Sequence, residues 1–220
     1  MGEAGIFYSV KEFTEEERIK LSKEIYKTMN ERRTARNFSN RYFSEEVLMN
    51  CIRAAGTAPS GANRQPWKFI VIKDKNVKKK IREEAEKEER KFYDNRAPEE
   101  WKKALEPFGT NAEKSFLETA PYLIAIFEEK YSYDEDGNKI KNYYTKESVG
   151  IAAGMLINAL HQCGIAALTH TPSPMNFLNK ILNRPENEKP FLLLVAGFPA
   201  ENATVPDIAR KKLDEIFKMI

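Results

Sequence analysis

Apolar residues recur at helical spacing near the start of the chain, and this pattern predicts two consecutive helices. Thr14 followed by Glu17 is the signal of a capping box, and apolar positions then recur every three or four residues until about Arg33. A second helix is expected between Ser44, which can cap its first turn, and Gly56, which can end it. The loop after Gly56 is therefore expected to lead from a helix into a strand.

Four short runs rich in β-branched and aromatic residues predict the strands of a sheet. They are WKFIVI (67–72), YLIAIF (122–127), IAALT (165–169) and FLLLVAG (191–197). Helices are expected between them, including a charged one over 76–93 and a nearly apolar one over 147–164 that is typical of a buried central helix. This alternation predicts a single α/β or α+β domain over residues 1–220. Turn residues at Asp136 and Gly137 predict a surface hairpin or loop.

Composition narrows the class of protein further. The 220 residues are 41% hydrophobic and 31% charged, a balance typical of a globular protein with a solvated surface. A net charge of +3 is too small to indicate nucleic acid or a membrane surface as a partner. The two cysteines and two histidines form no disulfide framework or metal-binding motif. No apolar stretch reaches the length of a membrane span, so a cytoplasmic location is expected.

A basic cluster at the end of the first helix is one candidate for chemistry. The sequence has no GxGxxG, GxxxxGKS/T, GxSxG or HExxH motif, which weighs against dinucleotide, nucleoside triphosphate, hydrolase and metalloprotease sites. The cluster ERRTARNF holds Arg32, Arg33, Thr34 and Arg36, and guanidinium groups suit phosphate. The same residues also fit a solvated helix end whose cations complement the helix dipole.

The loop APSGANRQPW is the second candidate. The small residues of APSGA leave backbone N–H groups accessible, so a flat polar ring could approach closely and be held by main-chain donors and the Ser60 hydroxyl. The same residues are ordinary in a turn between a helix and a strand. Physical reasoning from the residues leaves both interpretations open.

These motifs together are similar to one known family. RRTAR precedes a helix, APSGANRQPW enters a strand, GIAAGMLINALHQCGI is an apolar helix and VAGFP comes late. This order resembles the FMN-dependent nitroreductase superfamily over nearly the whole chain, and AAGTAPSGANRQPWKFIVIKD, LETAPYLI and ATVPDIARKKLDEI resemble its iodotyrosine deiodinases. The resemblance implies an α+β nitroreductase-like fold with a central mixed β-sheet flanked by helices, in an intertwined homodimer that binds FMN. It also implies a substrate lid at about 88–115 and a C-terminal extension at about 200–220.

The resemblance assigns a flavin site to this chain. The corresponding cofactor-binding positions are Arg32, Arg33, Thr34, Arg36, Pro59, Ser60, Thr169, His170, Thr171 and Arg210. Arg32, Arg36 and Arg210 match the phosphate-binding arginines. Thr171, with Thr169 as the alternative, matches the hydroxyl at flavin N5, where a hydrogen bond favours one-electron steps. His170 stands where the vertebrate enzymes carry threonine.

The resemblance also assigns a substrate site. Ala62 matches the backbone N–H that meets the substrate phenolate, and Glu89, Tyr93 and Lys114 match the residues that bind the amino-acid end. The chemistry fits, because a zwitterion needs an anion for its ammonium group and a cation for its carboxylate. Spacing of i,i+4 places Glu89 and Tyr93 on one helix face. Taken alone, such residues in a charged segment also fit a solvated helix face.

The function implied is the reductive removal of halogen from halotyrosines on FMN, with electrons from NAD(P)H or a reductase as external donor. One alternative is a general nitroreductase or quinone reductase, which shares the fold and flavin but needs no zwitterion clamp. Another is a tyrosine-binding or anion-binding protein without turnover. No metal is expected in any of these.

Overall fold

The computed structural model describes residues 5–220, which form two compact units, one ending at Arg32 and the other covering Arg33–Ile220. The first unit contains helix α1 (Glu15–Glu31), which begins with the predicted capping box at Thr14. α1 ends two residues before the predicted end because Arg32 already has extended backbone geometry. None of the described α1 residues is buried. The single domain over 1–220, whose first four residues lie outside the described ones, stays a prediction.

The second unit alternates helices and strands. Its helices are α2 (Glu45–Ala55), α3 (Lys75–Lys91), α4 (Glu99–Leu105), α5 (Phe116–Thr119), α6 (Thr145–Gln162) and α7 (Phe177–Ile181). Its strands are β1 (Trp67–Ile72), β2 (Tyr122–Glu129), β3 (Tyr131–Tyr133), β4 (Lys139–Lys141), β5 (Ala166–His170) and β6 (Glu188–Gly197). The four apolar runs form β1, β2, β5 and β6, and the expected surface hairpin is β3–β4. The predicted element types are confirmed.

The main sheet has the strand order β1-β2-β6-β5, and each neighbouring pair is antiparallel. Within the described residues, the parallel pairing is limited to one isolated bridge, Thr34 to Ala167. A mixed sheet was the wrong expectation for these strands. A strand buried on both faces is a continuous apolar run in either orientation, so the sequence pattern does not distinguish the two.

Both faces of the sheet are covered by helices. On β2, Ile124 and Ile126 face the layer formed by α2 and α6, whereas Leu123 and Phe127 face the layer that contains α3, α5 and α7. Alternate residues of a strand point to opposite faces, so one apolar run serves two cores. The prediction of a buried central helix is confirmed in α6, where Leu156 is fully buried.

The segment expected to be a lid lies between α3 and α5. It consists of a π-helical turn (Phe92–Arg96), α4 and a short turn of 3-10 helix (Glu106–Phe108). Phe92 packs edge-on against Tyr93 and Trp101, with ring centroids 5.5 Å and 5.0 Å apart. None of the described residues 92–108 is buried. These aromatic contacts, rather than a core, hold the segment together.

Residues 5–220 contain neither a membrane-spanning helix nor a cluster of metal ligands. No helix there is both long and apolar enough to cross a membrane. No group of three or more histidine, cysteine, aspartate or glutamate side chains among them is arranged to hold a metal ion.

Candidate active site

A cavity of about 250 Å³ lies where the end of β5 meets the C-terminal end of α3 and the lid segment. The predicted site residues that line it are Arg36, Glu89, Tyr93, Lys114, Thr169, His170 and Thr171. A larger open depression of about 490 Å³ beside α7 is bounded mainly by lysines and glutamates and has none of the predicted site residues in its lining. The smaller cavity is therefore the candidate site, because it brings together residues that are far apart in sequence.

Lys114 is a buried cation, only 3% exposed, whose ammonium group is held by oxygen atoms. Its Nζ lies 3.2 Å from a carboxylate oxygen of Glu89 and 3.2 Å from the hydroxyl of Thr110, and it also donates to the carbonyl of Asn111. A buried ammonium group needs such partners because it has lost its hydration. The Glu89–Lys114 pair therefore fixes one negative and one positive charge at the cavity wall.

Tyr93 lies beside the same ammonium group. Its ring centroid is 5.9 Å from Lys114 Nζ. Tyr93 belongs to the π-helical turn Phe92–Arg96 that continues α3, a wider geometry that is frequent at functional sites. Glu89 and Tyr93 thus lie on one side of α3 and its continuation, as their spacing predicted, and both face Lys114 at one wall of the cavity.

Glu86 supports this wall and was missed by the sequence analysis. Its Oε1 accepts a hydrogen bond from the backbone N–H of Lys114 at 2.7 Å and from Nε of Arg82 at 2.6 Å. Burial pushes the pKa of Glu86 upwards, but the hydrogen bonds from Lys114 and Arg82 outweigh it and hold the pKa below its ordinary value. Glu86 is therefore an ionised anchor that fixes the main chain of Lys114 against α3.

The residues at the end of β5 point to opposite sides. Thr169 and Thr171 are exposed, whereas His170 between them is buried and packs edge-on against Phe116, with ring centroids 5.7 Å apart. Burial, and to a smaller extent the charge of Lys114, lowers the pKa of His170 to about 3. His170 is therefore neutral near pH 7, and its Nε2 has no hydrogen-bond partner among the described residues.

Arg36 lines the cavity and contacts the lid segment. Its guanidinium carbon lies 5.3 Å from the ring centroid of Phe108, within cation–π range. Partial burial lowers the pKa of Arg36, and the neighbouring Tyr93 partly opposes this shift. Arg36 stays charged at neutral pH, because an arginine side chain titrates far above it.

The other residues of the basic cluster have different surroundings. Arg33 donates a hydrogen bond to the carbonyl of Pro206, which ties the C-terminal segment to the residues that precede α2. Thr34 pairs with Ala167 of β5, so its backbone runs beside the strand that carries the threonines. Arg210 lies on the exposed C-terminal segment, outside the cavity lining. Arg32 is the last residue of the first unit.

The loop after α2 places its predicted site residues outside this cavity. Pro59 and Ala62 are exposed and Ser60 is half-buried. The Ser60 hydroxyl accepts a hydrogen bond from the N–H of Gln65 at 2.9 Å, and the N–H groups of residues 63–65 are all bonded within the loop. The loop therefore uses these three donors to hold its own shape. The open main-chain donors were expected in APSGA, residues 58–62, where the N–H of Ala58 bonds to the carbonyl of Ala55 at 3.2 Å.

Gly61 is required in this loop by close packing. A Cβ atom at Gly61 would lie 2.9 Å from the side chain of Tyr144 and 3.0 Å from the carbonyl of Tyr143. Ala62 beside it has a φ of 49°, in the left-handed region that residues other than glycine seldom adopt. The loop is thus fixed by contact with the segment before α6 and by an unusual backbone conformation.

Comparison with known proteins defines the class to which this fold and site belong. Residues 29–198 match the model of the nitroreductase family, and the chain belongs to that family. It is similar to the iodotyrosine deiodinase of Haliscomenobacter hydrossis, with 55% identity over 208 residues that cover 94% of each chain. Human iodotyrosine deiodinase 1 is 43% identical over 210 residues, which cover 95% of this chain and 73% of the human one.

A solved structure agrees with these sequence matches. The crystal structure of an oxidized iodotyrosine deiodinase bound to FMN and 3-iodo-L-tyrosine superposes with a TM-score of 0.76 at 31% identity. The superposition covers 86% of this chain and 95% of that one. The predicted resemblance to the nitroreductase superfamily, and within it to the iodotyrosine deiodinases, is confirmed.

Proposed function

We propose that this chain is an FMN-dependent oxidoreductase that removes halogen reductively from halotyrosines. In the reaction, one iodotyrosine, two electrons and one proton give tyrosine and iodide. The single observation that carries the proposal is the ion pair between buried Lys114 and half-buried Glu89, which lies with Tyr93 in the same cavity as the threonines of β5. The similarity to deiodinases over more than nine-tenths of the chain supports it.

The ion pair matches the amino-acid end of the substrate. A zwitterion carries both charges and can be exchanged into the pair, its ammonium group at Glu89 and its carboxylate at Lys114, without leaving a buried charge unpaired. A nitroaromatic or a quinone has no such charges. Removing the two charges of the pair from water is unfavourable, and the substrates of a general nitroreductase or quinone reductase would not use them. The pair therefore favours the deiodinase.

The residues of the cavity also fit a flavin mononucleotide. Arg36 offers a guanidinium group to a phosphate, and the exposed hydroxyls of Thr169 and Thr171 can accept or donate hydrogen bonds at the edge of the ring. When bound, FMN supplies the electrons for the reduction. Thr171 holds N5 and orients the ring, with Thr169 as the alternative. The rest of the proposed cofactor set is Arg32, Arg33, Thr34, Pro59, Ser60, the main chain of His170, and Arg210.

The size of the cavity and the residues that lie outside it support a homodimer. Its volume of about 250 Å³ is below the roughly 300–1,000 Å³ of ordinary small-molecule sites, yet a flavin and an amino acid must both be held. Pro59, Ser60 and Ala62 lie outside its lining. We therefore expect two copies of the chain to share each flavin, with Ala62 N–H at the substrate phenolate.

Substrate must enter the site, and electrons must reach the flavin. The segment 88–115 acts as a lid that closes over substrate and excludes water. Electrons come from NAD(P)H or a reductase, and the protein works in the cytoplasm without nucleic acid or membrane as partners.

The direct test is a single turnover. Protein loaded with FMN and reduced by dithionite is mixed anaerobically with iodotyrosine, and tyrosine and iodide are measured. We expect one of each per reduced flavin. Binding without release of iodide would indicate a binding protein instead, and a colourless protein that cannot be reconstituted with FMN would overturn the cofactor assignment.

Glu89→Gln separates the deiodinase from the general nitroreductase. Loss of the anion should raise the Kd of iodotyrosine by about tenfold to a hundredfold, while reduction of a nitroaromatic changes little. Glu84→Gln on the same helix is the matched control, because Glu84 forms an exposed ion pair with Lys87 at 2.6 Å. Equal losses with both substrates would contradict the clamp.

A further inference from the structure

His170 presents a buried polar atom for which the described protein supplies no partner. The side chain is 7% exposed, it lines the cavity, and its Nε2 makes no hydrogen bond to any described residue. Leaving a buried donor or acceptor unsatisfied is energetically unfavourable, so such an atom needs an explanation. A ligand in the cavity is the partner that this position makes available.

The strand geometry separates the imidazole from the hydroxyls beside it. Thr169 and Thr171 are exposed on one side of the strand end, whereas the His170 ring is turned to the other side, against Phe116 and near Lys114. The main chain of this segment can therefore contact one ligand while the imidazole contacts another. The side on which the imidazole lies is the side of Lys114, whose charge acts on it.

The charges around His170 determine which group of a ligand can bind beside its imidazole. The charge of Lys114 is close enough to lower the pKa of His170, and it repels a second cation from this part of the cavity. A substrate ammonium group is drawn instead to Glu89, and the carboxylate is drawn towards Lys114. A neutral imidazole protonated at Nε2 is a hydrogen-bond donor, which a carboxylate can accept.

We infer that His170 Nε2–H donates a hydrogen bond to the carboxylate of the amino-acid substrate, beside Lys114, and so selects substrates that carry this group. The inference rests on the proposed function and adds a fourth side chain to the clamp of Glu89, Tyr93 and Lys114. It requires no change of protonation, because the imidazole is already neutral and needs only the tautomer with hydrogen on Nε2.

Binding measurements with three ligands test this assignment in FMN-loaded protein. The ligands are iodotyrosine, its deamino analogue iodohydroxyphenylpropionate, which keeps the carboxylate, and iodotyramine, which keeps only the ammonium group. In His170→Leu we expect the Kd of the two carboxylate ligands to rise on the order of tenfold, as for loss of a hydrogen bond to a charged group. The Kd of iodotyramine should stay within about twofold. His170→Gln, which keeps an N–H donor, should restore most of the affinity.

Other outcomes overturn the inference. A similar loss for all three ligands, or a weaker Kd for FMN itself, would place the imidazole in a structural or flavin-binding role. An unchanged Kd for iodotyrosine in His170→Leu would remove His170 from the site. Failure of the unsubstituted protein to bind iodotyrosine would be a different result, since it overturns the proposed function and the inference together.

A spectroscopic measurement distinguishes a direct contact from support of the fold. The chain has two histidines, so His161→Gln leaves one imidazole to observe with isotope-labelled ring nitrogens. We expect the Nε2 resonance to show a protonated nitrogen in the complex and to shift when iodotyrosine binds, but not when iodotyramine binds. A resonance that is insensitive to both ligands would contradict the assignment.

Discussion

The cavity beside the predicted lid segment and the loop after α2 are built by different means, although both carry predicted site residues. In the cavity, charged side chains are buried and paired, as Lys114 is with Glu89 and through its backbone with Glu86. In the loop, residues 59–65 are largely exposed and their shape depends on backbone hydrogen bonds and on Gly61. The cavity is therefore sensitive to changes of charge, and the loop is sensitive to changes of volume and backbone conformation.

Lys114→Met should give the largest effect, because it leaves Glu89 at the cavity without its cation. We expect a loss of up to about 3–5 kcal/mol in the free energy of unfolding and a rise in the Kd of iodotyrosine of about a hundredfold. Urea unfolding and ligand titration of the FMN-loaded protein measure the two effects. Lys87→Met is the control, since its ion pair with Glu84 is exposed and should contribute at most about 1 kcal/mol. Equal effects of the two substitutions would contradict the contrast between buried and exposed pairs.

Gly61→Ala should have the next largest effect and should act on the loop alone. The added methyl carbon would lie 2.9 Å from the side chain of Tyr144 and 3.0 Å from the carbonyl of Tyr143. Both distances are shorter than van der Waals contact, so the loop must shift. Overpacking of this kind costs about 1–3 kcal/mol, which unfolding in urea measures. FMN affinity should fall if Ser60 and Ala62 contact the flavin. Gly5→Ala is the control, because nothing lies within 4 Å of a Cβ there; equal stability of both variants would show that the loop is not tightly fitted.

Acidification should lower the stability of the folded protein because the cavity contains a buried imidazole, His170. The pKa of His170 is about 3 in the folded protein, against 6.5 in its ordinary state, so as pH falls below 6.5 the unfolded chain gains a proton that the folded chain does not. Stability is therefore lost as pH falls through this window. Between pH 7 and pH 5 the unsubstituted protein should lose about 2 kcal/mol more than His170→Gln. Parallel losses in urea unfolding at the two pH values would show that the imidazole is solvated.

Local patterns predicted most of the fold because they depend on residues close in sequence. The apolar runs became β1, β2, β5 and β6, and the capping signals at Thr14 and Ser44 start α1 and α2. The strand direction was missed, since burial on both faces removes the alternation that would have indicated it. The end of α1 was misplaced by two residues, a common uncertainty at helix ends.

Features of the site that depend on distant contacts could not be predicted in the same way. In the sequence, Glu86 resembles any solvated residue of a charged helix. Its structural role depends on a hydrogen bond from the backbone N–H of Lys114, which lies 28 residues further along the chain. Nothing in the sequence indicates the left-handed backbone conformation of Ala62, because alanine does not favour that conformation. The proposed clamp residues Glu89, Tyr93 and Lys114 were predicted through family resemblance, since charge and spacing alone did not separate them from a solvated face.

Phe108→Leu should give the smallest effect and tests whether the lid is coupled to the cofactor side of the cavity. Phe108 lies in the lid segment, yet its ring centroid is 5.3 Å from the guanidinium carbon of Arg36. Leucine keeps the apolar contact and removes the aromatic face, so about 0.5–1 kcal/mol of cation–π interaction should be lost. If Arg36 holds the flavin phosphate and Phe108 steadies it, the Kd of FMN should rise about twofold to fivefold, whereas Phe13→Leu, which removes the ring beneath Lys11 at 4.8 Å, should leave it unchanged. Identical Kd values for both variants would mean that the lid and Arg36 act independently, and that closure over substrate leaves the grip on the cofactor unaltered.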